Sequence, residues 1–140
     1  MLIFLDCDGV LRRKDAPRYR LEKPLLAAFE AALRRLPDAE IVITSSWRDV
    51  VGLPELRGLF SPDVAARIVG VLPIGQFRDD FPRYGEVLAY LKGRGEEWQP
   101  WIAVDDDPMS YPAGVPLLLV DPARGFGAEE AEGLVEMAGG

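Results

Sequence analysis

Four consecutive apolar residues, Leu2-Ile3-Phe4-Leu5, run directly into Asp6-Cys7-Asp8-Gly9-Val10. An apolar run of this length bounded by polar residues reads as a strand buried on both faces, the pattern of a parallel sheet. Open parallel sheets bind ligands beyond the carboxyl ends of their strands, which is where Asp6 and Asp8 fall. Two carboxylates one residue apart repel, so the arrangement calls for a cation, a shared proton or wide solvent exposure. Gly9 lets the backbone turn sharply there without a Cβ clash. Taken alone, an Asp-x-Asp pair is more often a turn or a helix cap than a site, so the rest of the chain has to decide.

Further short runs rich in Ile, Val and Leu occur at 41–43, 68–72, 101–104 and 117–120, which with 2–5 makes about five strands. Helical periodicity lies between them. Leu25, Leu26, Phe29, Leu33 and Leu36 form one apolar stripe, with Pro24 suited to a first turn and Pro37 to a stop. Tyr84, Val87, Leu88 and Leu91 mark a second helix ending near Gly93 and Gly95, and a third runs from about 128 to 137. A short helix is expected around 54–60. Strands alternating with helices predict an α/β, Rossmann-like parallel sheet with helices on both faces. At 140 residues the chain reads as a single domain, 1–140, able to bury about two-thirds of its unfolded surface.

Composition excludes several classes. An apolar fraction of 49% and a charged fraction of 28% fit an ordinary globular protein. A single cysteine rules out an internal disulfide framework and suits a reducing compartment. The initial apolar run is too short for a signal peptide, and no stretch approaches the roughly 20 residues of a membrane span. A cytoplasmic protein without membrane contact is expected. A net charge of −7 argues against a general nucleic-acid coat, but residues 12–23 hold six of the 16 basic residues and two of the 23 acidic ones. That basic island reads either as a solvated loop or as a means of drawing in an anionic substrate.

Three of the apolar runs end in polar residues of different kinds. The first ends at Asp6 and Asp8, the second at Thr44-Ser45-Ser46, and the run at 101–104 ends at Asp105-Asp106-Asp107. In a parallel sheet all of these meet at one edge. Carboxylates about 4 Å apart cost around 1 kcal/mol per pair in water, and several times that when partly buried. Five aspartates there need a hard divalent cation, and Mg²⁺ suits carboxylate, carbonyl and water oxygens and bridges to phosphate. A hydroxyl after a strand is by itself a common turn residue, and a triple acid before Pro108 a common acidic turn. Together and in this order they make a site. With no histidine in the chain, acid/base work falls to carboxylates.

On these motifs the chain resembles the haloacid dehalogenase (HAD) superfamily, mostly Mg²⁺-dependent phosphohydrolases with a Rossmann-like sheet. Leu5-Asp6-Cys7-Asp8-Gly9-Val10-Leu11 matches the first family motif. The resemblance implies that Asp6 is the nucleophile forming an aspartyl-phosphate and that Asp8 is the general acid/base, its backbone carbonyl helping to hold the metal. Thr44 matches the second motif, with Ser45 as an alternative or a second phosphate contact. The third motif, a cation between nucleophile and phosphate, is placed at Arg83, with Arg78 and Lys92 as rivals. Asp105 and Asp106 match the fourth motif, one of them completing the metal shell. The run Thr44-Ser45-Ser46-Trp47-Arg48 together with Asp105-Asp106-Asp107 also resembles HAD domains associated with RNA end repair.

The intervals Asp6 to Thr44 and Thr44 to Arg83, 38 and 39 residues, leave no room for the cap domain that many HAD enzymes insert. A capless, open site is expected, with the basic loop 12–23 where the family has a mobile flap. Arg12, Arg48 and Ser45 are candidate substrate contacts; for Arg48 a salt bridge on a solvent face is the alternative. The expected substrate is a nucleotide, a phosphorylated nucleic-acid end or a small phosphorylated metabolite. The oligomeric state is not readable.

Other readings remain. Cys7 and Arg13 have the Cys-x5-Arg spacing of cysteine-dependent phosphatases, but Asp8 adjoins the cysteine, and strand alternation turns Cys7 away from the site. Trp47 reads as core in preference to a stacking platform. A receiver-like phospho-aspartate signalling domain would need an acid after the third strand, where Pro73-Ile74-Gly75 stands. A catalytically idle HAD-like binding module is the remaining alternative.

Overall fold

The run that opens the chain is the central strand of the sheet. In the computed structural model, which describes residues 1–17, 20–73 and 80–139, β1 (Leu2–Leu5) pairs on one side with β2 (Glu40–Ile43) and on the other with β4 (Trp101–Asp105). β3 (Ile68–Val71) lies outside β2 and β5 (Leu117–Leu119) outside β4. The order is β3-β2-β1-β4-β5 and every pair is parallel. The chain thus builds outward from β1 to β3, crosses back, and builds outward again from β4. Connections diverge in opposite directions beside β1, which is the switch point where such sheets leave a crevice.

Side-chain alternation divides the core into two layers. Ile3, Leu5, Ile41, Ile43, Ile102 and Val104 face one side and are covered by α1 (Lys23–Arg34) and α5 (Ala128–Met137) through Phe29, Leu33, Leu134 and Val135. Two short helices, α2 (Leu53–Arg57) and α3 (Pro62–Ala65), extend that layer with Leu56 and Val64 where a single helix over 54–60 was expected. Leu2, Phe4, Val42 and Ala103 face the other side and meet Val87, Tyr90 and Leu91 of α4 (Pro82–Arg94). Phe4, fully buried, stands edge-on to Tyr90 and Trp101 at 5.9 and 5.8 Å between ring centroids. Helices therefore cover both faces, as the alternating pattern predicts.

The helix limits follow local chemistry. Pro24 sits in the first turn of α1, where its missing N–H costs nothing. Gly95, at φ 65°, closes α4 in the left-handed conformation and donates its N–H to the carbonyls at the end of the helix. Glu130 reaches back to accept the N–H of Gly127 at 2.9 Å, fixing the start of α5. Among the described residues no cap domain interrupts β1–β2 or β2–β3, and no helix is long and apolar enough to cross a membrane.

Candidate active site

Register and alternation bring the key residues together. Leu5 pairs with Ile43 on one side and Val104 on the other, so one step further Asp6 lies between Thr44 and Asp105. The backbone continues the pairing: Asp6 N–H donates to Val104 O at 3.0 Å, and Thr44 N–H to Leu5 O at 2.8 Å. Two residues beyond Phe4, Val42 and Ala103, all three side chains fall on the α4 face. α4 runs back down the sheet, and its first turn carries Arg83 at the same edge. Arg83 is close enough for its charge to act on both Asp6 and Asp105.

The loop after β1 folds tightly. Cys7 O accepts N–H groups from Val10, Leu11 and Arg12, and Gly9 N–H donates to Arg12 O at 2.6 Å. Gly9 has φ +78°, and a Cβ there would stand 2.3 Å from Asp106 Oδ2. Only glycine lets the fourth-strand acid close against the first-strand loop. As a result Asp6, Asp105 and Asp106 each present a carboxylate oxygen within 4.8 Å of the others.

Burial makes this cluster electrostatically costly. Desolvation, then the charges of Asp105 and Asp106, push the Asp6 carboxyl well above the ordinary aspartate range, while Arg83 and the Cys7 N–H act against the rise. Asp105 is pushed up to about 7, chiefly by burial, with the Asp107 N–H opposing and Asp106 adding to the rise. Two buried polar atoms at the site, Thr44 Oγ1 and Asp106 Oδ2, have no hydrogen-bond partner among the described residues. Lys14 Nζ lies 3.3 Å from that Asp106 oxygen, an ion-pair distance without a directed hydrogen bond. Orphaned buried oxygens of this kind mark places for ligand atoms, and three crowded carboxylates fit a hard divalent cation.

The remaining expected site residues take varied positions. The Asp8 carboxylate stands apart from the cluster and is a third exposed; Oδ1 accepts from Arg12 Nε at 2.9 Å and Trp47 Nε1 at 3.0 Å. Ser45 Oγ accepts the Trp47 N–H at 3.2 Å. Arg12 is turned inward, to Asp8 and to the carbonyls of Arg13, Lys14 and Ala16. The Arg48 side chain is buried, with donors to the carbonyls of Thr44, Ser45 and Leu72 and an ion pair to Glu86, so its salt bridge is internal and not on a solvent face. Asp107 caps the turn Pro108–Ser110 through Met109 N–H. Cys7 is fully buried in the apolar layer, and burial, reinforced by Asp6, pushes its thiol far up, which suppresses the thiolate.

Of the three third-motif candidates, Arg83 is at the site edge. Lys92 is exposed in the last turn of α4, toward the opposite edge of the sheet. Arg78 lies outside the described residues, as does Arg18 of the basic loop. Sequence reasoning did not find three contacts: Trp47 on Asp8, Lys14 on Asp106 and Glu86 between two arginines.

A doubly wound parallel sheet that brings an Asp-x-Asp loop, a strand-end hydroxyl and an acidic fourth-strand end to the switch point agrees with the haloacid dehalogenase class. Within that class the chain belongs to the family described as the HAD domain in Swiss Army Knife RNA repair proteins, whose model matches residues 2–131. No curated protein and no solved structure gave a significant match. A HAD domain is of the phosphatase-type hydrolase class, and such domains generally use Mg²⁺.

Proposed function

We propose that the protein is a Mg²⁺-dependent phosphomonoester hydrolase working through Asp6, with the phosphorylated end of a nucleic acid as substrate. One observation carries the reading: Asp6 stands between Thr44 and Asp105 under the first turn of α4, within reach of the charge of Arg83. In the first step an Asp6 carboxylate oxygen attacks phosphorus, the bond to the leaving oxygen breaks, and Asp8 gives that oxygen a proton. In the second, Asp8 takes a proton from water, whose oxygen attacks the same phosphorus and frees Asp6 and inorganic phosphate. Arg12 and Trp47 hold Asp8 by Oδ1, and no hydrogen bond among the described residues reaches Oδ2, the oxygen that carries the proton. Thr44 Oγ1 binds a phosphate oxygen, and Arg83 offsets charge on the transferring group. Asp6, Asp105 and Asp106, with the backbone carbonyl of Asp8, would hold Mg²⁺, which supplies charge neutralisation for the phosphoryl oxygens.

The absence of a cap among the described residues and the RNA-repair association of the family support a large substrate over an enclosed metabolite. The test is Mg²⁺-dependent phosphate release from oligonucleotides phosphorylated at either end, compared with nucleotides, sugar phosphates and an aryl phosphate. Asp6→Asn is expected to remove all Mg²⁺-dependent release; a fully active variant would sink the mechanism. Faster turnover of sugar phosphates than of oligonucleotides would overturn the substrate class alone.

A further inference from the structure

Glu86 takes no part in the steps above, yet its carboxylate is buried between two guanidinium groups. Oε1 accepts from Arg83 Nη1 at 2.7 Å, and Oε2 accepts from Arg48 Nη2. The arginines belong to different elements: Arg83 opens α4, and Arg48 lies in the turn Ser46–Asp49 that follows β2. Arg48 spends its other donors on main-chain oxygens, Nη1 on Thr44 O at 2.8 Å and Ser45 O at 3.0 Å, and Nε on Leu72 O at 3.0 Å. One guanidinium thus ties together the carboxyl ends of β2 and β3, and Glu86 fastens that tie to the helix carrying Arg83.

Stability alone is a poor reason to keep such a cluster. Arg48 and Glu86 lose their hydration and Arg83 part of its own, and well-packed apolar side chains of similar volume are commonly as stable. What the cluster supplies is placement. Arg83 has several rotatable bonds and is attracted by Asp6 and Asp105 as well as by Glu86, which holds it most. Without a second anchor it would fold down onto those carboxylates and leave the place where phosphate arrives. An acceptor three residues further along the helix holds the guanidinium back at one height. Preorganised charge of this kind costs no reorientation when the ligand binds.

We propose that Glu86 is a positioning residue that acts through Arg83, fixing its guanidinium at the mouth of the acid cluster. Phosphate then meets a guanidinium already set in place. The inference rests on reading Asp6, Thr44 and Arg83 as the phosphate site.

The test is a double-mutant cycle on binding of tungstate, a phosphate mimic, by calorimetry with Mg²⁺ present, each variant also being checked by thermal melting. Glu86→Gln keeps shape and one acceptor but loses the charge, and is expected to weaken tungstate binding about tenfold. In an Arg83→Gln background the same change is expected to alter binding less than about twofold, because the group it orients is gone. Equal losses in both backgrounds would reveal a purely structural role and overturn the proposal, as would unchanged binding in Glu86→Gln. If Glu86→Gln does not fold, the pair Arg48→Met/Glu86→Met, which removes both buried charges together, carries the same cycle. Wild-type protein that neither binds tungstate nor releases phosphate would overturn the reading of the site itself. Tungstate binding that ignores Glu86 would overturn only this inference.

Discussion

Gly9 is the residue on which the site geometry turns. Its φ of +78° and the 2.3 Å from its notional Cβ to Asp106 Oδ2 are independent reasons for glycine. Gly9→Ala is expected to cost about 1–2 kcal/mol through the left-handed backbone. It should also displace Asp106 and lower Mg²⁺ affinity about 10–100-fold, the usual penalty for disturbing a metal site's supports. Thermal melting and metal titration by calorimetry separate the two effects; wild-type metal affinity would show that Asp106 is not held by this contact. At this scale the sequence was readable where chemistry stands beside a strand end, as at Asp6, Thr44 and Asp105. It was unreadable where a charge is answered from far along the chain. Arg12 and Arg48 look like free cations after strands, and only the folded backbone shows the carbonyls that use them. Trp47 looks like core and is core, but its one polar atom points to Asp8, 39 positions away.

Among the elements, β1 has the most to lose. Phe4 is fully buried under α4 and touches Tyr90 and Trp101 edge-on. Phe4→Ala is expected to cost about 3–5 kcal/mol, by lost transfer free energy and the cavity left behind. Denaturant unfolding measures it; a loss under about 1 kcal/mol would mean that the α4 layer collapses into the space. Strands were legible because each is a short apolar run, and period-two alternation already sorts Asp6, Thr44 and Asp105 onto one face. The division into α2 and α3 was not legible. Two glycines, a serine and two prolines in 52–62 allow one short helix or two, and burial of Leu56 and Val64 decides.

For the whole molecule the acid cluster sets an opposition between stability and charge. With folded-state values of Asp6 and Asp105 raised, the metal-free protein binds more protons than the unfolded chain between the ordinary aspartate value, near 4, and about 7. Stability should therefore fall as pH rises through that window, and Mg²⁺ should remove most of the slope. Glu22 and Asp63, lowered by hydrogen bonds to Arg13 and Arg34, act with the opposite sign but below the ordinary carboxylate range, so they do not mask it. Melting temperatures across about pH 4–8 in EDTA and in Mg²⁺ check the prediction; a midpoint climbing toward neutrality in EDTA would contradict it.

The place of β1 in the middle of the sheet bears on durability. It is bonded along both edges, and the pairing runs on through the amides of Asp6 and Thr44. Amides of a central strand exchange with solvent only when the entire domain opens, whereas rims and loops open piecemeal. The acid proposed to react is thus in the last part of the molecule to come undone. Fraying at the periphery can slow ligand capture, but it leaves Asp6 in register until the fold itself gives way.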